Sequence, residues 1–260
     1  MHGSVGEATK ASLRNTENHF LVMNKKIKRL SDLLEKGYGK KVWKVQADPL
    51  SVLLETILSQ NTSDNNSHKA FSHLRSKFKN WDEVRKAKVK KIADTIRLGG
   101  LASIKALRIK NILVQIYEEN HNLNLSFLKR WRTNKVRSWL QRFKGVGDKT
   151  IACVLLFSLK RPAMPVDTHV LRVSKRLGLV PQKSDATKAE AILERLVPKN
   201  LIYQFHLNLI AHGRMVCKEA NPNCPDCVLL ENCEFGKSYL RPYRRLPTHA
   251  NKGGSHPSRG

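Results

Sequence analysis

A lysine at a predicted helix start is the first candidate for chemistry. Lys149 follows the glycine-containing turn KGVG (144–147) and stands at the head of an otherwise apolar helical run. A lysine amine is a nucleophile when it is neutral, and desolvation or neighbouring positive charge favours that form. A solvated cation is unfavourable at a helix N-terminus. The position favours a reactive, desolvated lysine over a solvated one, and the other motifs of the chain must decide between them.

A carboxylate follows at a fixed distance. Asp167 lies eighteen residues after Lys149, within the stretch PVDTHV (165–170). An aspartate in front of a helix is usually an N-cap, and this interpretation stays open for Asp167. A catalytic role depends on the other motifs of the chain.

Four of the five cysteines are clustered. Cys217, Cys224, Cys227 and Cys233 follow the spacing C-x6-C-x2-C-x5-C. Disulfide frameworks spread their cysteines through small secreted chains, so this cluster predicts a metal site. Four such thiolates suit zinc or an iron–sulfur cluster. Cys153 stands apart on an apolar helix and is interpreted as a small buried hydrophobic residue.

The charge of the chain indicates its partner. Among 260 residues, 48 Lys and Arg against 21 Asp and Glu give a formal net charge of +27, so we expect a polyanion, best a nucleic acid. No apolar run approaches the roughly 20 residues of a membrane span. The polar N-terminus contains no signal-peptide core. We expect an intracellular monomer, cytoplasmic or nucleoid-associated in a prokaryote, nuclear or organellar in a eukaryote.

The elements that position these side chains are predicted to be helices throughout, so the fold class is all-α. Asp48 and Pro49 form a clear helix start before an apolar face within residues 50–58. Gly178 is expected to close one helix and Ser184 to cap the next. Further helices are predicted at 66–78, 87–98, 103–118, 134–143, 148–159, 168–177, 185–196 and 201–215. Residues 1–22 and 237–260, which are polar and aperiodic, are predicted to be mobile tails.

Helices 134–143 and 148–159 with the turn between them form a candidate helix–hairpin–helix. Glycines at alternate positions permit a tight turn that exposes backbone N–H groups. Those groups and the dipole of the second helix suit a DNA phosphate, whatever the base sequence. By itself, a purely structural helical hairpin is an equally good interpretation.

The order of these motifs resembles one family. The motifs are GVG-x-K-T-x-A (145–152), VDTHVxR (166–172), AHGR (211–214) and the cysteine spacing. Together they resemble the endonuclease III family of DNA glycosylases, within the helix–hairpin–helix glycosylase superfamily, over roughly residues 24–236. The resemblance implies two helical domains with a DNA-binding cleft between them. These are a barrel domain of residues 51–161, containing the hairpin at 134–159, and an iron–sulfur domain of residues 23–50 and 162–236.

The resemblance also implies a reaction. An enzyme that acts on a base within a duplex must rotate the nucleotide out of the stack. Lys149 would attack the sugar C1′ and form a Schiff base, and β-elimination would then cut the strand. Asp167 would assist the attack and stabilise positive charge on the sugar. The implied partner is double-stranded DNA that contains a damaged base or an abasic site.

Further DNA contacts are implied around the cleft. The loop LSQNTSD (58–64) is expected to fill the vacated stack, with either Gln60 or Asn61 as the inserted residue. Leu101, after Gly99-Gly100, is a candidate wedge, although an ordinary C-cap contact is an equal alternative. The other predicted DNA contacts are Lys144, Gly145, Val146, Gly147, His169 and Lys218.

A [4Fe–4S] cluster held by the four clustered cysteines is the expected cofactor. Only Cys224 and Cys227 form a short C-x2-C pair, whereas zinc sites usually have two such pairs. The favoured function is a glycosylase and abasic-site lyase for damaged pyrimidines. Removal of mismatched uracil or thymine, or of methylcytosine, is a related alternative, and a non-catalytic DNA-binding or redox module is a third. Lys149 argues against this third class.

Overall fold

A computed structural model of the chain describes the backbone of residues 4–244 and the side chains of residues 21–241. It contains twelve α-helices in that range and no strand, which confirms the all-α prediction. The helices are α1 Ser4–Tyr38, α2 Pro49–Ser59, α3 Asp64–Lys77, α4 Trp81–Lys86, α5 Val89–Thr95, α6 Ala102–Asn120, α7 Thr133–Gln141, α8 Asp148–Cys153, α9 Thr168–Arg176, α10 Ala186–Leu196, α11 Ile202–Met215 and α12 Glu234–Arg244. None of them is both long and apolar enough to cross a membrane.

The predicted tails differ from the structure. The backbone of α1 is helical from Ser4, within the range predicted to be an irregular tail, because this proline-free segment extends a helix whose later turns are packed. At the other end α12 continues to Arg244, since Phe235 packs against the core and gives the helix an anchor. The rest of the predicted C-terminal tail, residues 245–260, lies outside the described residues.

Two helix boundaries were also predicted incorrectly. The range 87–98, expected to be one helix, contains α5 and a 3-10 turn at Arg97–Gly99, because the extended residue Lys88 precedes α5 and α5 ends at Thr95. Helix α4, which Asn80 caps, lies before this range and was not predicted. The N-cap of α10 is Asp185, whose side chain accepts from the N–H of Lys188, rather than Ser184. Helix α8 continues through a π turn at Val154–Ser158.

The helices pack around two hydrophobic cores. The first core is built from residues within 50–163, and the second from residues within 27–34 and 156–233. These cores support the proposed division into two domains, whose boundaries stay a prediction. The chain crosses between the cores twice, and hydrogen bonds join the two crossings. Gln46 N–H donates to Phe157 O at 2.9 Å, and Ser158 Oγ donates to Ala47 O at 2.8 Å.

Candidate active site and nucleic-acid interface

The turn of the hairpin requires its first glycine. Gly145 has φ of +89°, and a Cβ there would lie 2.8 Å from Cδ of Arg108. Gly147 is the extended N-cap of α8, and no heavy atom lies within 4 Å of the place where its Cβ would be. The hairpin is therefore closed against α6 on one side and open at the start of α8.

Val146 differs from the other residues of the hairpin turn in being buried. Its side chain is buried in the first core, and its N–H donates to Phe143 O at 3.0 Å. The N–H of Gly147, by contrast, has no hydrogen-bond partner among the described residues. Lys144 is exposed beside this turn. The hairpin therefore offers the backbone of Gly147 and the side chain of Lys144, while Val146 anchors the turn.

Lys149 is the second residue of α8, and it lines a cleft rather than a buried pocket. Its side chain is exposed, so the expectation of a lysine desolvated by the protein itself is wrong for the DNA-free form. The residues of α8 that follow Lys149 are buried, so α8 is fixed against the core while the side chain of Lys149, in its first turn, is left on the exposed side. Desolvation of Lys149 therefore requires something that covers the cleft.

The geometry of Asp167 is compatible with both interpretations that the sequence left open. It is the N-cap of α9, where Oδ1 accepts from the N–H of Val170 at 2.7 Å. The other oxygen, Oδ2, makes no hydrogen bond in the described part of the chain, and the residue lines the same cleft as Lys149. The cap fixes the carboxylate while one oxygen stays available to a substrate.

The cleft lies between the two cores. It has a volume of about 670 Å³, within the roughly 300–1,000 Å³ range of small-molecule sites. The first core contributes residues 59–64 and Lys149, and the second contributes Asp167, His169 and Arg214. A smaller cavity of about 260 Å³ adjoins it, and Lys149 lines both. A single nucleotide could therefore enter with its base beside the lysine.

A buried histidine lies under the lysine and the aspartate. Burial lowers the pKa of His206 to about 4, which Asp167 opposes and Lys149 reinforces, so the imidazole is neutral at pH 7. Its Nδ1 makes no hydrogen bond among the described residues. No sequence signal singles out His206, because a single histidine in an apolar helix belongs to no motif.

An ion pair closes one edge of the cleft. Arg214, at the end of α11, pairs with Asp64, the first residue of α3, so the pair connects the two cores. Both side chains are about half exposed. The pair was not predicted, because its members are 150 residues apart and the motifs that contain them do not indicate that they meet.

The structure distinguishes the two candidates for insertion into the stack. Gln60 Nε2 donates to Gly145 O at 2.9 Å, and its Oε1 accepts from Arg108 at 3.0 Å. Asn61 is exposed, with φ of +51°. Gln60 is therefore committed to the hairpin and to α6, whereas Asn61 points its side chain to solvent at the cleft.

Leu101 has the properties of a wedge. It precedes α6 with φ of +48° and is 51 % exposed, although large apolar side chains are usually buried. Leu98, Ile104 and Leu107 are similarly exposed on the same segment. Exposed apolar side chains of this kind are available to a partner that covers this surface.

The remaining predicted contacts lie on the second core. His169 Nδ1 is 3.0 Å from Arg172 Nη2, and Arg172 also donates to the backbone oxygens of Gly213 and Cys217. Arg172 therefore joins α9 to α11 and the cysteine loop. His169 borders the cleft, and Lys218 is exposed.

The four clustered cysteines line one cavity. No group of three or more His, Cys, Asp or Glu side chains in the described residues is arranged to hold a metal ion. All four thiols are unpaired, however, and a Cβ on Gly236 would lie 3.7 and 3.8 Å from the sulfurs of Cys233 and Cys224. Gly236 N–H and Arg176 Nη1 each donate to a cysteine sulfur at 3.3 Å. The residues fit a thiolate-bound group, because donors and a cation already face the sulfurs.

Comparison with known proteins identifies the family. Residues 54–199 match the model of the HhH-GPD superfamily base excision DNA repair protein. An Arabidopsis thaliana protein described as a candidate DNA glycosylase is 41 % identical over 174 residues, which are 67 % of this chain and 59 % of that protein. Endonuclease III of Thermotoga maritima is 36 % identical over 200 residues, 75 % of this chain and 89 % of that enzyme.

A solved structure supports the same relation. A trapped covalent intermediate of endonuclease III with DNA has a TM-score of 0.71 and 28 % identity, and covers 84 % of this chain and 99 % of that one. The chain therefore belongs to the HhH-GPD superfamily of base excision DNA repair proteins. Within that superfamily its likeness is to endonuclease III, as the motifs predicted.

Proposed function

We propose that this protein is a bifunctional DNA glycosylase and abasic-site lyase that acts on damaged pyrimidines in double-stranded DNA. The observation that carries the proposal is the meeting of Lys149 and Asp167 at one cleft between the two cores. Both stand at helix starts, from different cores, in a protein of net charge +27. Mismatched uracil or thymine and methylcytosine are the alternative targets. The intracellular location stays a prediction.

Base excision by these residues proceeds as a substitution at the sugar. The neutral amine of Lys149 forms a bond to C1′, and the C1′–N bond to the base breaks, so the base leaves with that electron pair and takes up a proton. Asp167 stabilises the positive charge that develops on the sugar. The DNA covers the cleft and removes water from Lys149, which the DNA-free protein does not do.

Strand cleavage follows from the same covalent bond. Opening of the sugar ring converts the adduct to an imine between Lys149 and C1′. The imine acidifies C2′, and loss of a proton there expels the 3′ phosphate by β-elimination. Water then releases Lys149. A lysine is required for this second step, because a water nucleophile would leave no imine.

The DNA is held by the edges of the cleft. The N–H of Gly147 and the side chain of Lys144 take a phosphate, as they form the open side of the hairpin. Asn61 enters the gap that the rotated nucleotide leaves, since Gln60 is bonded elsewhere. Leu101 enters as an apolar wedge. His169 and Lys218 extend the contact over the second core.

The four clustered cysteines hold a [4Fe–4S] cluster in this proposal. Endonuclease III homologues typically carry one. Burial raises the pKa of Cys227 to about 11, so a bound metal must displace the thiol protons at neutral pH. The cluster organises the loop that carries Lys218, and it takes no part in excision.

The test is covalent capture on abasic-site DNA. Borohydride reduces an imine to a stable amine, so wild-type protein should become crosslinked to the DNA and Lys149→Ala should not. Lys188→Ala removes an exposed lysine of α10 that pairs with Asp185, and it should crosslink like wild type. Equal crosslinking of Lys149→Ala and wild type would overturn the assignment.

A further inference from the structure

One of the largest fully buried side chains of the described residues belongs to a lysine. Lys105, in the first turn of α6, is only 1 % exposed. Its Nζ donates to the backbone oxygen of Leu58 at 2.7 Å and to that of Gly99 at 2.6 Å. Burial lowers the pKa of Lys105, and the charge of Arg108 lowers it further. Burial of an ammonium group costs free energy of folding unless hydrogen bonds compensate it.

The two carbonyl groups lie at the ends of two elements. Leu58 is in the last turn of α2, where carbonyl groups lack helical partners, and Gly99 ends a 3-10 turn. Asn61 follows Leu58 by three residues, and Leu101 follows Gly99 by two. The buried ammonium is thus bonded to the base of each loop that the proposed function inserts into DNA.

We propose that Lys105 is a positioning residue that sets the spacing between Asn61 and Leu101, so that both enter the duplex in one register. The inference rests on the proposed function. Lys105 touches neither the substrate nor the reacting atoms. It acts through the two backbone oxygens, because its Nζ donates a hydrogen bond to each of them.

Close packing around the two loops supports this role. A Cβ on Gly99 would lie 3.1 Å from Cβ of Ala70 and 3.9 Å from the oxygen of Leu58, so the loop bases are nearly in contact. Asn61 and Leu101 both have φ near +50°, a conformation that side chains adopt at a cost and that surroundings must maintain. Removal of the shared donor would leave two buried oxygens unsatisfied and free the loops to separate.

A second link on α6 continues the arrangement. Arg108 lies three residues after Lys105, on the same face of the helix. It binds Gln60, which in turn binds Gly145 O of the hairpin. The N-terminal half of α6 therefore holds the insertion loop, the wedge loop and the hairpin together.

The helix also supplies a matched control. Lys110 donates to the backbone oxygens of Arg85 and Ala87 at 2.8 and 2.6 Å, which is the same kind of two-carbonyl contact. Those oxygens lie at the C-terminal end of α4, outside both DNA loops. Lys105→Met and Lys110→Met therefore remove similar bonds and differ in which loops they release.

The experiment compares two substrates, each with one abasic site: a duplex and the corresponding single strand. A single strand has no base stack to penetrate, so its cleavage reports Lys149 chemistry without the loops. We expect Lys105→Met to cleave the single strand at the wild-type rate and the duplex about 100-fold more slowly, since small misplacements can cost that much. Lys110→Met should cleave both at wild-type rates.

A spectroscopic reading accompanies the rates. With 2-aminopurine opposite the abasic site, wild-type protein should raise the fluorescence as the loops unstack that base, and Lys105→Met should not. If Lys105→Met does not fold, Lys105→Gln, which keeps an N–H donor, is measured instead. It should cleave the duplex more slowly than wild type, but by less than the roughly 100-fold expected for Lys105→Met.

Duplex cleavage and fluorescence equal to those of wild type, or defects equal to those of Lys110→Met, would overturn the role of Lys105. Failure of wild-type protein to form a borohydride crosslink on either substrate would instead remove the proposed function itself.

Discussion

Arg137 of α7 holds the buried carboxylate of Glu190 on α10, with Nη1 3.0 Å from Oε1. Its Nη2 is 2.7 Å from Oε1 of Glu194, and the same oxygen accepts a hydrogen bond from the N–H of Met164. The first helix of the hairpin is therefore attached to the second core by a single guanidinium. Burial raises the pKa of Glu190 to about 7, against the opposing effect of Arg137.

Arg137→Met should destabilise the protein in a pH-dependent way. Folded Glu190 keeps its proton up to about pH 7, whereas the unfolded residue loses it near 4.5, so this group lowers stability as the pH rises through that interval. Without Arg137 the ionised form loses its partner. Urea unfolding should show a loss of about 3 kcal/mol at pH 8 and much less at pH 5.

The matched control for this prediction is Arg142→Met. Arg142 pairs with Glu119 at 2.9 Å, but both side chains are about half exposed, so its loss should cost under about 1 kcal/mol at either pH. A deficit of Arg137→Met that is the same at pH 5 and pH 8 would contradict the assigned cause.

Asp167→Asn should abolish most base excision and leave the fold intact. Asparagine caps a helix as well as aspartate does, so α9 keeps its start, but the amide carries no negative charge for the sugar cation. Single-turnover excision should fall by about 100-fold or more while affinity for DNA is retained. Asp48→Asn, at the N-cap of α2 and outside the cleft, should excise normally. Unchanged excision by Asp167→Asn removes this carboxylate from the mechanism.

Asn61 and Gln60 should give different defects when replaced. Glycine accepts the positive φ of position 61, so Asn61→Gly should preserve stability and slow cleavage of duplex abasic DNA by about tenfold, with single-strand cleavage unchanged. Gln60→Leu breaks the bonds to Gly145 and Arg108 and should cost about 1–3 kcal/mol of stability. Thermal unfolding and paired rates measure both. Normal duplex cleavage by Asn61→Gly would make Asn61 dispensable.

Cys224→Ser should lose the iron–sulfur cluster. The purified variant should be colourless and low in iron, and it should bind duplex DNA more weakly with a shallower salt dependence, because the loop that carries Lys218 loses its order. Cys153→Ala should keep colour and iron, since Cys153 is buried on α8. Colourless wild-type protein with stoichiometric zinc after anaerobic purification would refute the cluster and leave Lys149 and Asp167 unaffected.

Local patterns predicted the position of Lys149 and Asp167, because a helix start and its cap are encoded within a few residues. The exposure of Lys149 could not be predicted, since it depends on the distance between two cores. The choice between Gln60 and Asn61 required the contact with Gly145, 85 residues away. Lys105 was missed for a related reason: a lysine near a helix start is expected in solvent, and only its two distant carbonyl partners make it buried.

The bonded crossings between the cores, at Gln46 with Phe157 and at Ser158 with Ala47, restrict how the protein can respond to its substrate. A hinge needs connections that rotate independently, and these two are fastened to each other. We therefore expect the duplex to bend to fit a rigid enzyme. Lesions that weaken stacking make a duplex easier to bend, so the mechanical stiffness of DNA contributes to lesion selection before any base reaches the pocket.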